Sequence, residues 1–120
     1  MTTMNSVIEY VDRVMPNRYT DEDKYKWLRA IEGRIAREVM GDNDACCEIP
    51  EDADTELLVK VPYDGIYSLY VMSQIELLNK EYDHYNNYVL SFMDLLEQFK
   101  AWYIRNNRSG GTQNFRNVMG

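Results

Sequence analysis

His84 is the only histidine of this chain and the first residue to consider for acid–base chemistry. A catalytic base must lie within hydrogen-bond reach of the group that it deprotonates, in a site that also positions the reacting partner. No motif places a nucleophile beside His84, which follows a short polar stretch where a turn is expected. We therefore predict a surface residue without a catalytic role, and we assign no catalytic residue elsewhere in the chain.

The two cysteines, Cys46 and Cys47, are adjacent. Neighbouring cysteines seldom form a disulfide with each other, because the bond requires a separated pair of Cα atoms. A zinc site would need further ligands, and His84 is distant along the chain. We expect two reduced thiols in a loop, as is usual in a cytoplasmic protein.

An acidic segment, residues 42–56, surrounds these cysteines and partly matches a calcium-binding loop. Asp42 and Asp44 stand at the first two ligand positions of an EF-hand, but a cysteine replaces the glycine that the turn requires, and Ala53 replaces the bidentate glutamate. The chain also has no HExxH or CxxC motif and no glycine-rich phosphate loop after a strand. We predict neither a metal nor another cofactor.

The net charge of −7 is concentrated in the acidic segment. Of the 20 acidic residues seven lie there, without a basic residue, and the remaining 13 balance the 13 lysines and arginines. The segment is either a solvated loop or an electrostatic device that repels phosphates or meets a basic partner. Beyond Glu97 the pattern reverses, with Arg105, Arg108 and Arg116 and no acid. Such a chain lacks the charge pattern of a duplex-binding protein.

Hydrophobic periodicity predicts two N-terminal helices. The first begins at Asn5 or Ser6, where Ser6 and Glu9 have capping-box spacing, and it ends before residues 16–17. Its apolar face contains Val7, Ile8, Val11, Val14 and Met15. The second is capped by Thr20 and ends near Gly41. Its apolar face contains Tyr25, Leu28, Ile31, Ile35 and Val39.

Two further helices are predicted in the second half of the chain. Residues 57–61 are β-prone and could form a short extended piece, which would be marginal alone and could pair with a strand of another subunit. Pro62 fits the first turn of a third helix that is apolar nearly all round, as in a helix that is central in the core or shared with a partner. The fourth helix, residues 82–106, carries aromatic residues at steps of three and four. The short connection at 79–83 predicts an antiparallel hairpin.

The predicted fold class is therefore all-α, with about four helices and a long C-terminal hairpin packed on two N-terminal helices. Residues 1–106 form one domain, which includes the acidic segment, and residues 107–120 form a flexible tail rich in Asn, Gly, Ser and Arg. No apolar run is long enough to cross a membrane, and the N-terminus lacks a signal-peptide pattern. We expect a protein that stays in the cytoplasm of the cell that makes it.

Residues 62–107 hold seven of the ten tyrosines. Tyrosines fill small cores with their hydroxyls reaching water, and they are also typical of protein–protein interfaces. Ten exceed what two short helices can bury, which favours an interface with another subunit or a partner. The candidate interface residues are Tyr67, Tyr70, Tyr88, Trp102, Tyr103, Arg105 and Arg108.

Three stretches of the chain resemble, in order, conserved blocks of small proteins that tailed phages and prophages encode near their portal and capsid genes. The first is MPNRYTDEDKYKWLRAIEGRI, residues 15–35, and the second is DADTELLVKVPYD, residues 52–64. The third is PYDGIYSLYVMSQIELLNKEYDHYNN, followed by a helix that ends in AWYIRNN. This family is generally assigned as head–tail connectors, or adaptors, of the head-completion type.

The resemblance implies an all-α subunit without catalytic residues that assembles as a ring, commonly a dodecamer, beneath the portal protein. Such rings extend the DNA channel, help to retain the genome and provide the docking surface for the tail or for a tail-proximal stopper protein. DNA would pass without specific binding, and acidic residues would face it in the channel. The residues concerned are Glu48, Glu51, Asp52 and Asp54. The chain would act in the host cytoplasm during assembly and at the head–tail junction of the virion.

Two alternatives come from other classes. A helical protein–protein interaction module of the tetratricopeptide type would need an internal repeat of roughly 34 residues, and none is found. A small DNA-packaging subunit would need a basic recognition helix, which the charge pattern does not support. An enzyme is disfavoured because no acid, base and nucleophile can be grouped from the sequence.

Overall fold

The computed structural model describes residues 2–41 and 53–108, with side chains up to residue 106. This part of the chain contains four helices, α1 (Met4–Val14), α2 (Asp21–Glu38), α3 (Gly65–Leu78) and α4 (Tyr82–Tyr103), and a π-helical turn, Ile104–Arg108, prolongs α4. It contains no strand, and one isolated β-bridge pairs Thr3 with Glu56. The predicted all-α class with four helices is confirmed for these residues.

Helix α1 begins earlier than the sequence pattern predicted. Thr3 is the N-cap: its hydroxyl accepts a hydrogen bond from the Ser6 N–H at 3.1 Å, and the Thr3 N–H donates to Ser6 Oγ at 2.9 Å. The predicted cap at Asn5 or Ser6, paired with Glu9, is wrong because Ser6 is already the third helical residue of this capping box. The earlier start places Met4 on the buried face of the helix.

Helix α2 follows its prediction closely. Thr20 is the N-cap and accepts a hydrogen bond from the Asp23 N–H at 3.1 Å, and three acids occupy the first turn, where the helix dipole favours negative charge. The predicted core residues Leu28, Ile31 and Ile35 are buried. Gly41 lies beyond the helix with a φ of 75°, a left-handed conformation that glycine adopts without strain.

A buried cation joins α2 to α1. Lys24 is only 2 % exposed, and its ammonium donates to Asp12 Oδ1 of α1 at 2.7 Å. A buried ammonium without a partner would carry a large desolvation cost, and the carboxylate of Asp12 offsets this cost for Lys24. This pair joins the two N-terminal helices, together with the hydrogen bond that the Tyr25 hydroxyl of α2 donates to Asn5 Oδ1 of α1 at 2.7 Å.

Helix α3 begins at Gly65, three residues later than predicted for Pro62. Pro62 precedes the helix in a turn, after a cis Val61–Pro62 peptide bond. Gly65 allows α4 to approach closely, because a Cβ at this position would lie 3.3 Å from Leu95 Cδ2. Asp64 is the N-cap residue, but its carboxylate accepts a hydrogen bond from Thr2 Oγ1 instead of capping the helix.

Helix α3 is central to the described part of the chain. It contacts α1, α2 and α4, which explains why it is apolar on nearly every side. The packing of α3 on α4 is confirmed, with contacts that join Tyr63 to Phe99, Tyr70 to Phe92 and Glu76 to His84 in antiparallel order. Within these residues α4 packs on no other α-helix, so only α3 of the expected pair lies against the N-terminal helices.

The β-prone residues 57–61 do not form a strand. The Leu57 N–H donates to Thr2 O at 2.7 Å, and the next two N–H groups donate to side chains of α2 and α3. The suggested pairing with a strand of another subunit is therefore not available to these three groups, because each already has an acceptor in its own chain.

Two predicted regions lie mostly outside the described residues. These are the acidic segment up to residue 52 and the tail from residue 109 onward. Among the helices that the structure describes, none is long and apolar enough to cross a membrane.

We predict that Asp12→Ala lowers the free energy of unfolding by about 1–3 kcal/mol, because it leaves the buried Lys24 ammonium without its carboxylate. Urea unfolding followed by circular dichroism measures the loss. Glu38→Ala is the control, since its ion pair with Arg34 is exposed on both sides and should contribute less than about 0.5 kcal/mol. Equal losses of unfolding free energy in the two variants would show that the Lys24–Asp12 pair contributes no more than an exposed ion pair.

Candidate protein-binding site

A buried hydrogen-bond network links α2, α3 and the segment between them. The Tyr67 hydroxyl donates to Glu32 Oε1 at 2.5 Å and accepts from the Val59 N–H at 2.9 Å. The Leu58 N–H donates to Glu32 Oε2 at 2.8 Å. Glu32 and Tyr67 are both buried, and each oxygen of the Glu32 carboxylate has a donor. The network therefore satisfies polar atoms that would otherwise destabilise the core.

Burial controls the protonation of both side chains. Loss of hydration raises the pKa of Glu32 above its ordinary value of 4.5, although the hydrogen bonds from Tyr67 and Leu58 oppose this shift. Burial, together with the neighbouring Glu32 carboxylate, raises the pKa of Tyr67 well above its usual value. The tyrosine thus stays a hydrogen-bond donor at any physiological pH.

The network positions the residues that follow it. Leu57 and Val59 point into the core and are fully buried, whereas Leu58 and Val61 are exposed. The alternation places Leu58 on the surface and ends before Val61, which is 74 % exposed. Tyr63 then packs against α4, with its ring centroid 5.9 Å from those of both Phe99 and Trp102.

An aromatic pocket of about 250 Å³ lies where this segment meets the end of α4. We use the name aromatic pocket for the cavity between Leu58, residues 60–63, the α4 residues Phe99, Trp102 and Tyr103, and Met40. Phe99 stacks on Trp102 with centroids 6.0 Å apart and also contacts Tyr103 at 6.0 Å. Trp102 remains 38 % exposed at the pocket, so part of its indole is open to a ligand or partner.

The aromatic pocket is chemically suited to binding rather than to acid–base work. Apolar and aromatic groups surround it, and the one charged side chain in its lining is Lys60. That ammonium is already engaged, with Glu56 Oε2 at 2.9 Å and Leu57 O at 2.9 Å. Such a concave apolar surface with an exposed tryptophan fits an apolar side chain of another protein.

The structure separates the predicted interface residues. Tyr67 lies in the core as part of the buried network, so its side chain does not reach the surface. Trp102 and Tyr103 meet at the aromatic pocket. Tyr70 is half-buried against Phe92, with ring centroids 5.5 Å apart, and Tyr88 is half-buried beside His84. The set therefore forms no single surface, because its tyrosines serve different packing contacts along α3 and α4.

Two further predicted interface residues lie in the π-helical turn. Arg105 is exposed there. Arg108 closes the turn, and its side chain lies outside the described part of the chain. Both follow Trp102 and Tyr103 directly, so the turn extends the chain just beyond the aromatic pocket.

The predicted acidic site is described at one residue. Asp54 is exposed and accepts a hydrogen bond from Asn5 Nδ2 of α1 at 2.8 Å. Glu48, Glu51 and Asp52 lie outside the described residues. Asp54 thus attaches the end of the acidic segment to α1.

His84 lies on the surface, as predicted. Its side chain is mostly exposed, and Nδ1 lies 2.9 Å from Glu76 Oε2 of α3. Over residues 2–41 and 53–108 no group of three histidine, cysteine, aspartate or glutamate side chains is arranged to hold a metal ion.

Sequence reasoning missed much of the aromatic pocket. Leu58, Val61 and Tyr63 line it, although none was among the candidate interface residues. It also missed Glu32, which the pattern places on a helix like any surface acid. The available signal was its spacing: Glu32 lies four residues after Leu28 and three before Ile35, which puts it beside them on the inward side of α2.

Comparison with known proteins gives no relative: no protein-family model matches the chain, and no curated protein or solved structure matches it.

We predict that Tyr67→Phe lowers the free energy of unfolding by about 1–3 kcal/mol, because it removes the acceptor of the Val59 N–H and a donor to Glu32. Tyr70→Phe is a matched control on the same helix, since its ring packs on Phe92 and it should change stability by less than about 0.5 kcal/mol. Urea unfolding of both variants makes the comparison, and equal stability of Tyr67→Phe and the wild type would contradict the role of the network.

A second prediction concerns pH. Because the folded-state pKa of Glu32 is raised, the folded chain holds its proton more tightly, and this group's contribution to stability falls as pH rises from 4.5 to the raised value. Glu32→Gln has no such titration. The stability advantage of the wild type over Glu32→Gln should therefore be largest at acid pH and shrink towards neutrality. Urea unfolding at a series of pH values measures this difference, and an advantage that grows with pH would show a lowered pKa instead.

Proposed function

We propose that this chain is a structural subunit of a head–tail connector, which associates with its own copies in a ring and binds a partner protein through the aromatic pocket. The observation that carries the proposal is the aromatic pocket itself, an apolar cavity with exposed Val61 and Trp102 at its mouth. Interface hot spots are enriched in tryptophan and tyrosine that sit in such partly enclosed apolar sites.

The surface around the pocket supports a protein partner. Ile104 follows in the π-helical turn and is 42 % exposed, and Leu58 is exposed on the preceding segment. Apolar side chains grouped at one end of a small protein lose water contact when a partner covers them, which favours association. The basic residue Arg105 beside them adds a charged rim to this surface.

The three stretches that resemble phage connector proteins are also physically connected. Glu32 belongs to the first stretch, Leu58 and Val59 to the second, and Tyr67 to the third. The buried network joins all three, so the resemblance covers residues that fold together and that shape the aromatic pocket. We therefore extend the connector proposal to the portal protein as the partner, with DNA passing the ring without specific binding.

We predict that Trp102→Ala weakens binding to purified portal rings by about tenfold or more, because it removes the largest exposed side chain of the pocket. Native mass spectrometry of the full chain with portal rings, and titration by interferometry, measure the complex and its affinity.

Tyr82→Ala is the matched control, because Tyr82 is an exposed aromatic residue on the same helix, at the end far from the pocket. Its binding should stay within about twofold of the wild type. Thermal unfolding of both variants shows whether they remain folded. A wild-type chain that stays monomeric and never binds portal rings would overturn the proposed function. Equal binding by Trp102→Ala and the wild type would remove the aromatic pocket from it.

A further inference from the structure

The outward side of α4 carries an acidic stripe around an exposed leucine. Phe92, Leu96 and Phe99 face α3, and the residues opposite them recur at steps of three and four along the helix. This acidic stripe consists of Asp83, Asn87, Leu90, Asp94, Glu97 and Ala101, all exposed. Leu90 lies in its middle and is 66 % exposed. Within the described residues no other helix covers this side of α4.

The outward side of α2 carries the opposite charge. Its buried residues face α3 and α1, and the residues opposite them form a basic stripe of Lys26, Ala30, Arg34 and Arg37, all exposed, with Asp23 at its start. Ala30 is a small residue between the basic side chains. The basic stripe is thus a cationic surface with a shallow apolar centre that a protruding leucine can contact.

We propose that the acidic stripe of one subunit packs on the basic stripe of the next copy of this chain, which is the repeated contact of the ring. This inference rests on the proposed function and specifies its self-association. Charge complementarity identifies a second copy of this chain as the partner. The acidic stripe has three carboxylates and no cation, whereas the basic stripe has three cations and one carboxylate.

Spacing and position support the same pairing. Lys26 and Arg37 are separated by about three helical turns, or roughly 16 Å, and so are Asp83 and Asp94. In a register that sets Asp83 opposite Lys26 and Asp94 opposite Arg37, two pairs of opposite charges therefore meet. Because α2 and α4 each pack on α3 without packing on each other, their outward sides belong to different sides of the subunit. A contact between two different surfaces is not two-fold symmetric, so it repeats from copy to copy and gives a ring where the rotation between copies closes.

Among residues 2–41 and 53–108, few contacts compete with this pairing. Arg34 pairs with Glu38 at 3.3 Å, and Glu97 pairs with Lys100 at 3.2 Å, with all four side chains substantially exposed. Asp94 accepts a hydrogen bond from Gln98, which carries no charge. Exposed pairs of this kind contribute little and are readily exchanged for partners on another molecule.

The test reverses the charge of each stripe in the full chain. Variant A is Asp94→Lys with Glu97→Lys, and variant B is Lys26→Glu with Arg37→Glu. Each alone sets like charges against each other at the contact, so sedimentation velocity at low salt should show self-association at least about tenfold weaker than that of the wild type. Wild-type association should itself weaken as salt rises, because exposed charges are screened.

Mixing the two variants, or combining all four substitutions in one chain, distinguishes this contact from other possible contacts. In an equal mixture of A and B, every acidic stripe can find a basic one, so assembly should return with the two variants alternating. A chain that carries all four substitutions should assemble alone but not with the wild type. If α4 instead paired with α4, variant B would assemble like the wild type, and the proposal would be overturned.

Two charge-matched controls lie off both stripes, Glu9→Lys on α1 and Arg18→Glu before α2, and both residues are exposed. They should assemble like the wild type, and circular dichroism shows whether every variant is folded. If the wild type forms rings and variants A and B do so equally well, this contact is wrong and the proposed function stands. If the wild type stays monomeric with and without portal rings, both fail.

Discussion

A carboxylate buried between helices must be met by hydrogen-bond donors, and here the donors come from two distant parts of the chain. Glu32 on α2 accepts hydrogen bonds from the Tyr67 hydroxyl of α3 and from the Leu58 N–H of the intervening segment. A low local dielectric strengthens these bonds and makes any missing partner costly. The positions of α2, α3 and the segment between them are therefore coupled. The aromatic pocket depends on this coupling, because the same segment supplies one of its walls.

The central position of α3 determines which surfaces remain outside. Helices α1, α2 and α4 all pack on it, so most of its apolar residues are buried within the chain, and only Leu77 and Leu78 at its C-terminal end are exposed. The outward sides of α2 and α4 are left to water or to other subunits, and their side chains carry opposite charge. One arrangement thus accounts both for a helix without a polar face and for the two stripes.

The sequence predicts the helices of this chain well where local chemistry decides them. Thr20, three following acids and a regular apolar face define α2 without tertiary information, and the structure agrees. Helix α1 begins earlier than the sequence pattern predicts, because Thr3 and Ser6 are both good caps and the choice between them depends on contacts of residues 2–3 with residues 56–57. Propensity alone cannot include a contact with a segment so far along the chain.

The candidate site is harder to predict from the sequence for the same reason. Trp102 and Tyr103 were recognisable as aromatic residues on a predicted helix, and they do lie at the aromatic pocket. Tyr67 has the same residue type and spacing yet lies in the core, because the partner that buries it is Glu32. Val61 and Tyr63 reach the pocket only through the path of the chain before α3. Long-range side-chain hydrogen bonds, which leave no periodic pattern, decided these outcomes.

The hydrogen bonds of residues 57–59 also affect the tendency of this chain to aggregate at high local concentration. A β-prone stretch with free N–H groups is a template on which another chain can add a strand, and such edges are starting points for aggregation. Here the three successive N–H groups donate hydrogen bonds to Thr2, Glu32 and Tyr67 of the same chain. The stretch therefore presents no row of free N–H groups along these residues, which disfavours backbone strand addition between copies of this chain.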